Sequence, residues 1–228
     1  MDDGEIESAL TAAATEPGHD ALGPVLEAYR ARIERMIRVR MDPRIAGRAG
    51  ASDVLQEAYV EVARRLPSYL DEWNAARTAP TEEREGPMPF FLWVRFIAAQ
   101  SLQELHRRHL GAAVRDARRE VDLAGRAGGA LPEASSLLFA SALVASGISP
   151  SGAAAVDEQR ELLRKALDSL SAQDREVLFL RHFEQLSNKE IAELLGLSAP
   201  GASLRHLRAL GRLQRALAEL GVAFQPGE

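Results

Sequence analysis

Histidine, carboxylate and hydroxyl side chains are the groups of this chain that could catalyse a reaction, but their spacing does not build a catalytic site. The five histidines are scattered, and no serine has a histidine and an aspartate in a pattern typical of nucleophilic catalysis. The chain contains no cysteine, which excludes thiol nucleophiles, thiolate zinc sites and disulfides. We therefore expect no enzymatic activity and no cofactor.

One pair of histidines has a spacing that could hold a metal ion. His106 and His109 are three residues apart, with Glu104 beside them. The flanking Arg107 and Arg108 oppose a dication, and the sequence supplies no further cluster of ligands. Contact with phosphate, or a plain surface role, is the preferred interpretation, so the sequence predicts no metal site.

Arginine offers a second kind of chemistry, the recognition of phosphates and bases. Of 28 basic residues only Lys165 and Lys189 are lysine, and guanidinium groups suit bidentate contacts with phosphate and guanine. A genome rich in arginine codons would give the same bias.

The net charge of −5 hides a gradient: residues 1–27 hold seven acids and no Lys or Arg, whereas residues 198–218 hold four arginines and no acid. A negative total therefore does not exclude nucleic acid, because the local field governs association.

Residues 186–203, "LSNKEIAELLGLSAPGAS", predict two short helices joined by a tight turn. Ser187 and Glu190 form a capping box, Gly196 suits a left-handed helix end, and Ser198 can cap the next helix, whose first turn tolerates Pro200. The second helix would present arginines to the major groove of DNA. The alternative is an ordinary helical hairpin with a solvated basic face.

The periodicity is helical almost throughout, which predicts an all-α protein. Residues 1–21 are predicted to be a solvated acidic tail, followed by a helix that includes Tyr29 and Ile33. A second helix is predicted to be capped by Ser52 and ended or bent by Pro67, and residues 74–89 are predicted to be an exposed loop. "FFLWVRFIAAQSLQELHRRHL" forms a further helix. Residues 121–155 are predicted to be a flexible linker, in which "LLFASALV" is a candidate docked helix and the glycines of "GRAGGA" lack the lysine of a phosphate loop.

At this point the sequence resembles a known family. "LDSLSAQDREVLFLRHFEQLSNKEIAELLGLS" is similar to the promoter-distal domain of bacterial RNA polymerase sigma factors, especially the extracytoplasmic-function (ECF) type. "SDVLQEAYVEVARRL" resembles the sigma helix that docks on the polymerase clamp, with Asp53, Gln56, Glu57 and Tyr59 at matching positions, and "FFLWVRFIAAQSLQELHRRH" resembles the adjoining segment that melts the promoter. The N-terminal motifs separate sigma factors from response-regulator activators, which carry similar four-helix domains.

The resemblance implies two small helical domains and a set of contacts. Residues 22–120 would be sigma domain two, and residues 156–222 would be domain four with its helix-turn-helix. Polymerase binding would use Asp53, Gln56, Glu57 and Glu61. Melting of the proximal element would use Trp93, Arg95, Gln100, Gln103, Arg107 and Arg108. The distal element would contact Ser198, Pro200, Gly201, Ser203, Arg205, His206, Arg208 and Arg212.

The melting segment combines aromatic and cationic side chains, which suits a surface that binds unstacked single strands. Its aromatic residues also fit a helical core at the same spacing. We expect Phe91 and Phe96 to be core residues, and leave both roles open for Trp93.

The expected partners are core RNA polymerase, through the clamp of its largest subunit and its flap, and promoter DNA, with an anti-sigma factor left open. The start of the chain lacks the order of a signal peptide, and no run is long enough for a membrane helix, so we expect a cytoplasmic protein without membrane insertion. Two alternatives are open. One is a helix-turn-helix regulator whose N-terminal domain senses a signal or dimerises, and the other is a helical adaptor without a DNA role.

Several positions depart from the family pattern. Gln100 stands where members often have Asn, "SAPGAS" opens the recognition helix where members often place an acid followed by Gly-Thr-Val, and His206 replaces an apolar residue. The rotational setting of this helix is therefore open by about one residue. The acidic tail and the 74–89 insertion could bind a regulator or mask DNA.

Overall fold

A computed structural model describes residues 3–15, 20–42, 44–45, 48–78, 87–110, 136, 139–140 and 156–221. The chain divides into two compact units, Met1–Leu131 and Pro132–Glu228. The described residues form eight α-helices and one short 3-10 helix, and they contain no strand, so the predicted all-α class is confirmed. Within these residues no helix is long and apolar enough to cross a membrane.

The N-terminal unit is built from helices α1 (Asp3–Thr15), α2 (Gly23–Arg40), α3 (Ala51–Thr78) and α4 (Phe90–Leu110), with the 3-10 helix Asp20–Leu22 before α2. Helix α3 packs against both α2 and α4, and apolar side chains repeating at helical spacing fill the space between them. The fully buried side chains there include Ile33, Met36, Ile37, Leu55, Leu92, Ile97 and Leu102.

The prediction of a solvated acidic tail is wrong for residues 3–15, which form α1. Leu10 is only 3% exposed, and α1 packs on α3. Arg77 of α3 donates a hydrogen bond to Thr11 Oγ1 at 2.9 Å and lies 4.0 Å from a carboxylate oxygen of Glu7. The apolar side of α1 consists of one leucine, one isoleucine and small alanines between acids, so its periodicity is too weak to stand out in the sequence.

Two predictions about the ends of α3 are also wrong. The helix begins at Ala51, so Ser52 lies inside it, and the Asp53 carboxylate accepts the Gly50 N–H at 2.8 Å. Pro67 does not end the helix, which runs on to Thr78 and so takes up the first residues of the predicted 74–89 loop. The alternative, a bend at Pro67, stays a prediction. Burial of Tyr69 and Leu70 beyond the proline offsets the roughly 3 kcal/mol that a proline costs inside a helix. Residues 79–86 of the predicted loop lie outside the described residues.

The C-terminal unit contains α5 (Val156–Asp168), α6 (Ala172–His182), α7 (Asn188–Leu195) and α8 (Ala199–Glu219), the four helices that the sequence predicts. Helix α8 packs against the other three. Leucine, isoleucine, valine and alanine side chains from all four helices form the core, among them Leu163, Leu167, Val177, Leu178, Ile191, Ala202, Ala209 and Leu217.

One part of the predicted linker belongs to this core. Phe139 is 2% exposed, and its ring meets those of Phe179 and Phe183 edge-on, with centroids 5.5 and 5.7 Å away. Residues 136, 139 and 140 are helical, in agreement with the candidate docked helix in "LLFASALV". The rest of 121–155 lies outside the described residues.

Candidate nucleic-acid interface

The first candidate site is a groove between α3 and α4 in the N-terminal unit. It brings together residues that the sequence assigned to polymerase binding, from α3, and residues that it assigned to promoter melting, from α4. Its lining consists of Glu57, Glu61, Arg65, Ile97, Gln100, Ser101, Gln103, Glu104, Arg107 and Arg108.

The groove cations are already paired with acceptors. Arg108 Nη2 lies 3.2 Å from a carboxylate oxygen of Glu57, and Arg108 Nε lies 3.4 Å from one of Glu104, which also pairs with Arg107. Across the groove, Arg65 donates to the Gln100 amide oxygen at 2.7 Å. Ion pairs between half-exposed side chains contribute only about 0–1 kcal/mol, so these pairs can separate at small cost. The groove therefore holds three arginines whose present partners are weakly bound carboxylates and an amide.

The predicted polymerase-binding residues lie along the outward side of α3, with Asp53, Gln56 and Glu57 exposed and Glu61 partly exposed. Among them lies Val60, a large apolar side chain that is 62% exposed. Val60 falls outside the apolar stripe of this helix, which is the sequence signal that it faces outward.

The prediction that Arg95 contacts DNA is wrong, because this residue is buried and only 5% exposed. The reason is its place on α4, where it shares the inner face with Leu92, Ala98 and Ala99, all buried. The 3.6-residue period of the helix would have revealed this.

The aromatic cluster of α4 is mainly structural. Phe91 is buried edge-on to Tyr29 at 4.9 Å, as predicted, while Phe96 is only partly buried. Trp93 is partly exposed and packs on Tyr69 at a centroid distance of 4.5 Å. Both roles therefore still fit Trp93.

The pair His106 and His109 does not form a metal site. His106 is buried, and its Nε2 accepts the backbone N–H of Asp42 at 3.1 Å, whereas His109 is exposed. Next to His106, the hydrogen bond from the Arg44 side chain lowers the pKa of Asp42 to about 2. No group of three potential ligands that could hold a metal ion occurs in the described part of the chain.

The second candidate site is the helix-turn-helix formed by α7 and α8. Ser187 Oγ accepts the Glu190 N–H and the Glu190 carboxylate accepts the Ser187 N–H, so the predicted capping box is confirmed. Gly196 ends α7 in the left-handed conformation, with φ of 62°. Ser198 caps α8 by accepting the Gly201 N–H at 3.1 Å, and a Cβ at Gly201 would lie 3.0 Å from that hydroxyl oxygen. The turn geometry was therefore predictable.

The rotational setting of α8 decides which side chains face outward. Pro200, Leu204, Leu207 and Arg208 are exposed, whereas the predicted contacts Gly201, Ser203, Arg205 and His206 are partly buried. The orientation of α8 about its own axis, which the sequence left open by about one residue, thus places leucines among the outward-facing residues.

Two predicted contacts of α8 also bind helix α6. The Nε2 atoms of His206 and His182 lie 2.9 Å apart, and desolvation, together with the neighbouring charges of His182 and Arg181, lowers the pKa of His206 to about 4. Arg212 donates at 2.5 Å to the carboxylate of Asp174, which is buried. Both pairs hold α8 in place, and neither is visible in the sequence because the partners are far apart along it.

Comparison with known proteins agrees with this geometry. Residues 160–213, which contain the helix-turn-helix, match the family model described as Sigma-70, region 4. The chain is also similar to the ECF RNA polymerase sigma factor SigD of Mycobacterium bovis and to the protein of the same name from Mycobacterium tuberculosis. The identity is 27% over 218 residues, covering 96% of this chain and 87% of each relative. The match in the C-terminal unit and the similarity along nearly the whole chain support an ECF-type RNA polymerase sigma factor.

Proposed function

We propose that this chain binds core RNA polymerase through the outward side of α3, directs it to promoters through α8, and opens the proximal promoter element with the groove of α4. Catalysis would belong to the polymerase, and the chain would supply binding surfaces only. The names of its relatives support the polymerase as partner.

The observation that carries the proposal is the character of α8. This helix follows a capped tight turn, and residues 198–218 hold four arginines and no acid. A helix-turn-helix places such a helix in the major groove, where its N-terminal residues meet base edges and its arginines meet phosphates. Arg208 is exposed within the first three turns of α8, so it is the arginine that we assign to a phosphate contact.

The groove supports the second half of the proposal. Glu57 belongs to the side of α3 assigned to the polymerase, and its carboxylate pairs with Arg108 of the melting segment. Polymerase binding at α3 would therefore affect Glu57 directly. This residue is ion-paired with Arg108, which is one of the residues proposed to hold the opened strand.

The test is a binding measurement with purified core polymerase. Val60→Lys adds a cation at the centre of the proposed contact. The acids Asp53, Glu57 and Glu61 call for a basic partner surface there, so we expect affinity for core polymerase to fall by about tenfold or more, since like charges across an interface cost more than about 1.4 kcal/mol. Ala28→Lys, at an exposed position of α2, is the matched control and should bind like the unmodified chain. Equal affinities for both variants would reject α3 as the polymerase contact. Tight sequence-specific binding of duplex DNA without polymerase would instead favour a regulator that acts without replacing sigma.

A further inference from the structure

Helix α8 carries two leucines in contact with solvent. Leu204 is 48% exposed and Leu207 is 61% exposed. Residues three apart on a helix are neighbours on its surface, so the two side chains form one apolar patch. The core of the C-terminal unit does not use this patch.

The neighbouring residues of α8 give the patch cationic surroundings. Arg208 is exposed next to Leu207, and the helix is free of acids from Ser198 to Ala218. One turn before the patch, Ala199, Pro200 and Gly201 offer only small or compact side chains, so this end of α8 can approach another surface closely. Such a field favours a polyanion over an apolar protein surface, which would gain nothing from the arginines.

Duplex DNA has one kind of apolar group in its major groove. The C5-methyl group of thymine projects there, and apolar side chains distinguish thymine by contacting it. The second and third turns of a helix that enters the groove by its N-terminus lie close enough to the base edges for such contact. The two leucines occupy these turns of α8, which begins at Ala199.

We propose that Leu204 and Leu207 read thymine methyl groups in the distal promoter element. This inference rests on the proposed function of α8, and it adds the chemical identity of the bases that the helix prefers. The arginines would then position the helix on the phosphates, and the leucines would select sequence.

The experiment uses the holoenzyme assembled from the full chain and core polymerase, on a promoter mapped by run-off transcription. Each thymine of the distal element is replaced in turn by deoxyuridine, which lacks only the methyl group. For the unmodified chain we expect binding to fall by about fourfold at one or two positions, which corresponds to the ~0.8 kcal/mol of one buried methyl or methylene group. In Leu207→Ala or Leu204→Ala, the same replacement should change binding by less than about 1.5-fold at the position that each leucine reads.

Two variants serve as controls. Arg208→Ala should weaken binding to all promoters while it keeps the difference between thymine and deoxyuridine, because a phosphate contact carries no base preference. Leu220→Ala removes another exposed leucine from the end of α8, 38% exposed, and should change neither quantity. Both tested leucines are exposed, so their removal should leave thermal unfolding unchanged.

Three results would overturn the inference. The first is insensitivity of the unmodified holoenzyme to every deoxyuridine replacement. The second is a thymine preference that both alanine variants retain in full. The third is loss of affinity for core polymerase in the leucine variants with an unchanged thymine preference, which would assign the patch to a protein contact. In each case promoter-directed transcription can persist, whereas absence of any promoter-specific transcript would reject the proposed function itself.

Discussion

Replacing Phe139 by alanine tests whether the segment that precedes α5 is part of the C-terminal core. The ring is buried against Phe179 and Phe183. Truncation of a buried phenylalanine to alanine costs about 3–5 kcal/mol, from lost transfer free energy and the cavity left behind. With a urea m-value of about 1.5 kcal/mol/M for a small domain, the unfolding midpoint of the C-terminal unit should fall by about 2–3 M.

The chain contains an internal control for this measurement. Both tryptophans, Trp73 and Trp93, lie in the N-terminal unit, so tryptophan fluorescence follows that unit alone, while far-ultraviolet circular dichroism follows both. We expect Phe139→Ala to shift the circular dichroism transition of the C-terminal unit and to leave the fluorescence transition in place. A loss below about 1 kcal/mol would refute the docking of Phe139, because so small a cost is typical of surface positions.

Two further predictions concern the contacts between α6 and α8. Arg212→Ala should destabilise the C-terminal unit by about 1–3 kcal/mol in urea unfolding, since it leaves the buried Asp174 carboxylate without this partner, and an unchanged midpoint would contradict the ion pair. Because the pKa of His206 in the folded state lies near 4, below its unfolded value of about 6.5, the unfolded chain binds the proton more readily between these values. The stability contribution of His206 should therefore be present above pH ~6.5 and be lost as the pH falls toward 4. In NMR titration, His182→Ala should raise the pKa of His206, and an unmoved titration would argue against the pair.

Much of the helix-turn-helix could be predicted because its signals are local. The capping box of Ser187 and Glu190 spans three residues, and the left-handed turn at Gly196 follows from the residue type itself. The same local reasoning failed at Pro67, where packing against other helices outweighs the preference of the proline.

Other features of the sites depend on contacts between distant residues. The inward orientation of Arg95 follows from its position in the 3.6-residue repeat of α4. The sequence prediction missed it because a charged residue is usually expected to face water. The partners of His206 and Arg212 lie 24 and 38 residues earlier in the chain, so the sequence could not show that these side chains contact α6. The apolar residues Val60 and Leu207 became informative only once their exposure was known.

Run-off transcription with purified core polymerase tests the central claim most directly. Fragments of genomic DNA are transcribed with and without this chain, and the 5′ ends of the products are mapped. We predict discrete start sites that require the chain and share a distal sequence element, and a lower yield of these products with Arg208→Ala. A set of products identical to that of core polymerase alone would contradict the account.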